Sequence, residues 1–154
     1  MTQKKYELLK NDTITALNGK TLYRIKALID FGVVVAGSLG GYIEKEDNLA
    51  HSGNAWVYGN AQVYGDARVS DNARVYSKKD LVWFSNVGTE YGTLTVFKTK
   101  EGKLFASRGC FKGTVDKFLA KSAEVHDERI KREYRLLIEV AKSRLLGESP
   151  VPTF

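Results

Sequence analysis

Four consecutive units of six residues run through the middle of the chain: Asn54–Gly59, Asn60–Gly65, Asp66–Asp71 and Asn72–Ser77. Ala recurs at 55, 61, 67 and 73, and Val at 57, 63, 69 and 75. A fixed six-residue period excludes an amphipathic helix, whose apolar stripe needs a period of about 3.6 residues. An ordinary β-meander, whose side chains alternate every two residues, is the rival reading. A hexapeptide period is the signature of a parallel β-helix with one unit per side. Val points inward, and the small residue four positions later fits the crowded corner, as in Val57/Ala61, Val63/Ala67 and Val69/Ala73. The Gly, Asn and Asp positions supply turn conformations that branched residues resist. Three units make a coil of about 18 residues, which sets Trp56 above Arg74 and Tyr58 above Tyr76. Ile43 and Leu49 continue the Ala phase backwards, and His51 falls in the Val phase. Such a stub cannot bury its own ends, so flanking segments or another subunit must cover them.

Either side of the repeat the period changes. Thr13–Leu17 and Lys20–Ile25 flank Asn18-Gly19, a dipeptide that takes the positive φ angles of a tight hairpin turn. Leu81–Ser85, Thr93–Lys98 and Leu104–Ser107 read as strands, with a turn at Lys100-Glu101-Gly102-Lys103. Val115, Phe118, Leu119 and Ser122 then share one helical face behind Thr114 as N-cap. After a break at Val125-His126-Asp127, a longer helix carries the stripe Ile130, Tyr134, Leu137, Ile138, Ala141 and Leu145 and stops at Gly147. The expected fold class is α+β: a short left-handed parallel β-helix, a small antiparallel sheet and two C-terminal helices. The expected divisions are an N-terminal hairpin cap over 1–42, the repeat over 43–78, an α+β sub-domain over 79–147 and a loose tail over 148–154.

The repeat resembles the left-handed β-helix of hexapeptide-repeat proteins, many of which are trimeric acyltransferases. Over roughly residues 20 to 146 the chain looks more like small phage and prophage proteins. The resemblance rests on Gly40-Gly41-Tyr42-Ile43-Glu44-Lys45-Glu46, Gly92-Thr93-Leu94-Thr95, Gly109-Cys110-Phe111-Lys112-Gly113-Thr114, Phe118, His126 and Tyr134. It implies a shared architecture and no particular activity. By analogy of kind, some small phage proteins are homo-oligomers that sequester nucleotide immune signals.

Composition narrows the chemistry. Cys110 is the sole cysteine, so neither an internal disulfide nor a cysteine metal cluster is available. The start of the chain lacks an apolar signal region, and the longest apolar run, Phe31 to Ala36, is broken by Gly32, so no membrane partner and a cytoplasmic location are expected. His51 and His126 are separated and offer no zinc spacing, and no Ser-His-Asp or Walker pattern occurs. His51 reads as structural, and His126 reads as a capping residue at the helix–helix junction. Catalytic residues, metals and cofactors are expected to be absent, and the chain is not expected to be an enzyme. A hexapeptide-type acyltransferase is the less favoured alternative.

A net charge of +6 favours phosphate-bearing partners. The best anion site is the stretch Arg108, Gly109, Lys112, Gly113 and Thr114, read as running from a strand end to a helix start, where free N–H groups and the positive dipole end gather. Trp56 and Arg74 are a second ligand-binding pair, expected on the outside of the repeat with Tyr58, Tyr64, Arg68 and Tyr76. The expected function is therefore a homo-oligomer, trimer favoured, that binds an anionic small molecule such as a nucleotide. The alternative is a nucleic-acid or host-protein accessory acting through the basic helix residues Lys131, Arg132, Arg135, Lys142 and Arg144.

Overall fold

The computed structural model describes residues 4–147, so the tail expected over 148–154 lies outside the described residues. The chain divides into two units, Met1–Lys78 and Lys79–Phe154.

In the first unit, β1 (Tyr6–Thr15) and β2 (Thr21–Ala27) form the hairpin that Asn18-Gly19 announces. Gly19 takes the expected positive φ, 81°, whereas Asn18 does not, and the Asn18 side-chain oxygen accepts from the Lys20 N–H at 3.0 Å. β1 begins earlier than the alternation suggests, because its register shifts between Leu9 and Thr13. β2 pairs antiparallel with β3 (Leu39–Ile43), and β3 pairs in parallel with β5 (Gln62–Val63). β4 (Trp56–Val57) and β6 (Arg74–Val75) form a separate parallel pair.

These pairings correct the expected fold class. The repeat does not build a left-handed parallel β-helix. It yields strands of two residues each, one of them the edge of a mixed four-stranded sheet ordered β1-β2-β3-β5, two of them an isolated pair. Tyr42 pairs with Gln62 and Leu49 with Val69, but Trp56 pairs with Arg74, so the offset shortens from twenty residues to eighteen. The two extra residues lie between Ala50 and Asn54, whose N–H groups donate to the Val69 and Asp71 carbonyls, just after a short 3-10 turn at Glu46–Asn48. The buried Asn48 holds it in place: its amide donates to the carbonyls of Gly65 (3.1 Å) and Ala67 (2.9 Å), and its oxygen accepts from the N–H groups of Glu44 and Lys45. Ile43 and Leu49 consequently stand beside Val63 and Val69 rather than in the Ala phase.

The Ala and Val positions of the repeat are all buried, Val63 completely. Trp56 is buried as well, against the expectation that it projects outward. The N-terminal segment covers it: Tyr6 and Phe31 meet its ring edge-on at centroid distances of 6.2 and 5.2 Å. The Lys5 ammonium lies over Phe31 and donates to the carbonyls of Ala55 at 2.7 Å and Gly53 at 3.4 Å. The Tyr6 hydroxyl donates to the Leu49 carbonyl at 2.6 Å. β3 approaches the following turn so closely that a Cβ on Gly41 would sit 2.5 Å from the Ala61 carbonyl oxygen.

The second unit is an antiparallel meander of β7 (Leu81–Val87), β8 (Gly92–Lys98), β9 (Leu104–Arg108) and β10 (Phe111–Thr114), with α1 (Val115–Val125) and α2 (Glu128–Leu146) packed on it. Leu94, Val96 and Ala106 from the strands meet Phe118, Ile130, Tyr134, Ile138 and Ala141 from the helices in one core. Thr114 caps α1 by accepting from the Lys117 N–H, Asp127 caps α2 by accepting from that of Ile130, and Gly147 ends α2 at φ 73°.

Burial pulls the Lys5 ammonium from 10.5 down to about 8. Between these values the unfolded chain binds the proton and the folded chain does not, so stability rises with pH. Burial, reinforced by Glu46 and Asp47, pushes the Tyr6 hydroxyl above its usual 10, so stability falls again above pH 10. Urea unfolding at a series of pH values is expected to show the first unit gaining about 2 kcal/mol between pH 8 and 10, then losing it. Lys5→Met should abolish the rise and keep the fall.

Candidate functional site

The stretch from Arg108 to Thr114 is not a loop feeding a helix. It is a tight hairpin: Arg108 pairs with Phe111 and Thr114 with Phe105, leaving Gly109-Cys110 as the whole turn. Gly109, at φ 59°, permits that turn. Lys112 is exposed on β10, and Thr114 is engaged as the α1 cap. The five expected anion-binding residues therefore separate. Arg108 and Gly109 belong to a cavity of about 460 Å³, while Lys112, Gly113 and Thr114 are not among its lining residues.

That cavity draws on the β7–β8 turn (Thr89, Glu90), the hairpin (Arg108 to Phe111), α1 (Phe118, Lys121, Ser122, Val125), the junction residue His126 and Tyr134 of α2. Its central cation is Arg108. The Arg108 Nε donates to the Tyr134 hydroxyl at 3.2 Å, and one terminal nitrogen reaches the Val87 carbonyl at 3.5 Å. Gly92 sits against the guanidinium, since a Cβ there would lie 2.7 Å from its central carbon. Among the described residues no carboxylate lies within ion-pair range of Arg108.

Tyr134 organises the rest. It is buried, and its ring meets Phe118 edge-on at 4.8 Å and His126 at 5.5 Å. His126 Nδ1 is hydrogen-bonded to the buried Ser122 hydroxyl at 2.8 Å, and its backbone N–H donates to the Ser122 carbonyl, closing α1. His126 thus does cap the helix, and its ring also lines the cavity. Sequence reasoning treated Tyr134 only as a core residue. The space the two share comes from distant glycines, since a Cβ on Gly88 would meet the Tyr134 hydroxyl and one on Gly92 the Arg108 guanidinium, a link that no nearby sequence signal carries. Cys110 is exposed at the turn and also borders the cavity.

The second expected pair lies in the first unit. Trp56 and Arg74 are register partners across β4 and β6. Burial of Trp56 removes it as a stacking surface, which leaves half-buried Arg74 beside the stacked rings of Tyr58 and Tyr76, 4.4 Å apart. Burial of Tyr58, with its neighbour Tyr76, raises its hydroxyl above the usual range. His51 is structural in its contacts: it stacks on Tyr6 at 4.2 Å and accepts the Lys5 N–H at Nδ1, which leaves Nε2 to donate to Glu46. This hydrogen bond holds the Glu46 carboxyl below its usual range. On α2, Lys131 is paired with Glu128 at 2.8 Å. Among the described residues no group of three or more metal-ligating side chains assembles, and no helix is long and apolar enough to cross a membrane.

No family model matches the chain. A stretch of 37 residues is 49% identical to a protein of Escherichia coli (strain K12) named as an uncharacterized acetyltransferase, YdcK. The stretch covers 24% of this chain and 11% of that protein, so this chain matches only about a tenth of its relative's length. The expectation that the chain is not an enzyme is corrected on this similarity, because the matched protein bears an enzyme's name.

The geometry makes Arg108 dependent on its glycine neighbour. Gly92→Ala introduces a methyl group against the guanidinium and should push it away from Tyr134. Tyr134→Phe removes the same hydrogen bond directly, at a cost of about 1 kcal/mol. In both variants the Arg108 Nε–H resonance should move and exchange faster with solvent, as measured by NMR.

Proposed function

We propose that the second unit binds a small phosphate-bearing anion in the cavity beneath the β9–β10 hairpin. The observation that carries this reading is the Arg108 guanidinium, oriented by Tyr134 and the Val87 carbonyl and lacking a carboxylate partner among the described residues. A guanidinium offers up to five donors in a planar fork that suits phosphate, and Arg108 has donors left over after its two protein contacts. Lys121 and His126 in the same wall add two further donors, while Glu90 is the one acidic side chain there. A cavity of about 460 Å³ is within the usual range for small-molecule sites. A cytoplasmic location belongs to this reading, supported by the single unpaired cysteine.

The similarity to a protein named as an acetyltransferase favours one second reading, acyl transfer. Its usual donor, an acyl thioester of coenzyme A, is itself phosphate-bearing, so the same cationic wall would engage it. His126, oriented by Ser122, would take the proton from the acceptor. The acceptor then bonds to the acyl carbon, the carbon–sulfur bond breaks, and the departing thiolate is protonated.

Calorimetry with inorganic phosphate, ribose 5-phosphate and acetyl-coenzyme A tests the first reading, and release of free thiol from acetyl-coenzyme A tests the second. Arg108→Gln should weaken binding of each phosphate probe at least tenfold, the scale of one charged hydrogen bond. Lys112→Ala should leave it unchanged, because Lys112 does not line the cavity. Equal affinities in Arg108→Gln and the parent protein would overturn the proposed site.

A further inference from the structure

We infer that the ligand carries a flat aromatic ring as well as its phosphate, the chemistry of a nucleoside monophosphate, and that Phe111 receives the ring. This inference rests on the anion-binding reading above and goes beyond it in assigning the other half of the cavity. The cavity wall is of two kinds. Arg108 and Lys121 supply positive charge and His126 a ring nitrogen, whereas Phe111, Phe118 and Val125 supply apolar surface. An inorganic anion would need only the first.

Phe111 is the aromatic with surface to spare. Phe118 is buried in the core, and Tyr134 is buried with its hydroxyl committed to Arg108. Phe111 is only partly buried, although it packs against that core and meets Phe118 edge-on at 5.5 Å. It is held firmly for a half-exposed ring: it opens β10, is paired with Arg108 across the hairpin, and rests against Gly113. That pairing also fixes the distance between the two recognition elements. Arg108 and Phe111 are direct cross-strand neighbours, and such neighbours lie about 5 Å apart at Cβ. A molecule whose ring and phosphate are joined through a sugar can engage both at once. Glu90 and Thr89, on the opposite turn, are placed to accept from or bond to sugar hydroxyls or an exocyclic amine, groups that a bare phosphate lacks. Stacking on an aromatic side chain tolerates every base, because each has a π-face, so the class is fixed more tightly than the base.

Calorimetry on the full chain with adenosine 5′-monophosphate, ribose 5-phosphate and inorganic phosphate decides the matter, alongside the variant Phe111→Leu. Phe111→Leu keeps an apolar residue at the core's edge, and its melting temperature is read in parallel. The expected result is on the order of tenfold tighter binding of the nucleotide than of ribose 5-phosphate, an advantage that Phe111→Leu removes while ribose 5-phosphate binds as before. If the nucleotide and ribose 5-phosphate bind equally to the parent protein, the ring site is wrong and the anion site stands. If Phe111→Leu leaves the nucleotide's advantage intact, Phe111 is not the ring's partner. If none of the three probes binds, both the ring site and the anion reading fall. Should Phe111→Leu unfold, Phe111→Tyr, which keeps the ring, must retain the tenfold advantage; its loss there would likewise overturn the assignment.

Discussion

The hydrogen bond from the Lys5 ammonium to the Ala55 carbonyl fixes how the first unit is closed. The repeat is too short to shield its own interior, and a strand from outside it has to do so. That strand is β1, and its start is tied down by the Lys5 ammonium on the Ala55 carbonyl of the repeat, by the Tyr6 hydroxyl on the Leu49 carbonyl and by the Lys5 N–H on the His51 ring. A buried ammonium bonded to neutral carbonyls is costly in desolvation, which its lowered proton affinity records. The cost is tolerated because the alternative is to leave backbone carbonyls unsatisfied beside a buried Trp56.

The second unit rests on a different arrangement with the same logic. Tyr134 is a core residue of α2 whose one polar atom is used to orient a cation. The ring and the hydroxyl of this side chain thus serve packing and recognition at once, as amphipathic aromatics are suited to do. Ser122 does the same for His126 from within α1. Both positioning groups are buried and both positioned groups line the cavity, so Arg108 and His126 are held by the core, whereas Lys121 is an exposed surface chain 4.0 Å from Glu124.

Local signals in the sequence were read accurately, and distant ones were not. Asn18-Gly19, Thr114, Asp127 and Gly147 mark turns and caps whose causes lie within a few residues, and each appears where its chemistry requires. The Ala and Val phases of the repeat correctly name buried residues. What they do together depended on β1 and β2, far away in the chain, and on two extra residues between Ala50 and Asn54 that shift the pairing just before the exact units begin. Trp56 was misjudged because its outward face is covered by Tyr6 and Phe31, fifty and twenty-five positions earlier. In the candidate site, Arg108 was legible as a cation beside glycine, but the hairpin was not. Phe111-Lys112-Gly113-Thr114 has no alternation, and it is a strand only because β9 supplies partners along its whole length. The pairing moved Lys112 to the exterior and brought Phe111 beside Arg108.

The place of Tyr134 in the chain has a kinetic side. The meander of β7 to β10 is made of neighbouring strands and can form from local contacts, which close rapidly. Tyr134 arrives from α2, the last element among the described residues of the unit. Until α2 docks, Arg108 has neither its orienting hydroxyl nor the aromatic wall behind it. A molecule held by oriented Arg108 therefore selects the docked helix over the undocked one, and binding should draw down the population of partially open forms. The cavity is thereby a reporter on the final packing step of its own unit, present only when the last helix is home.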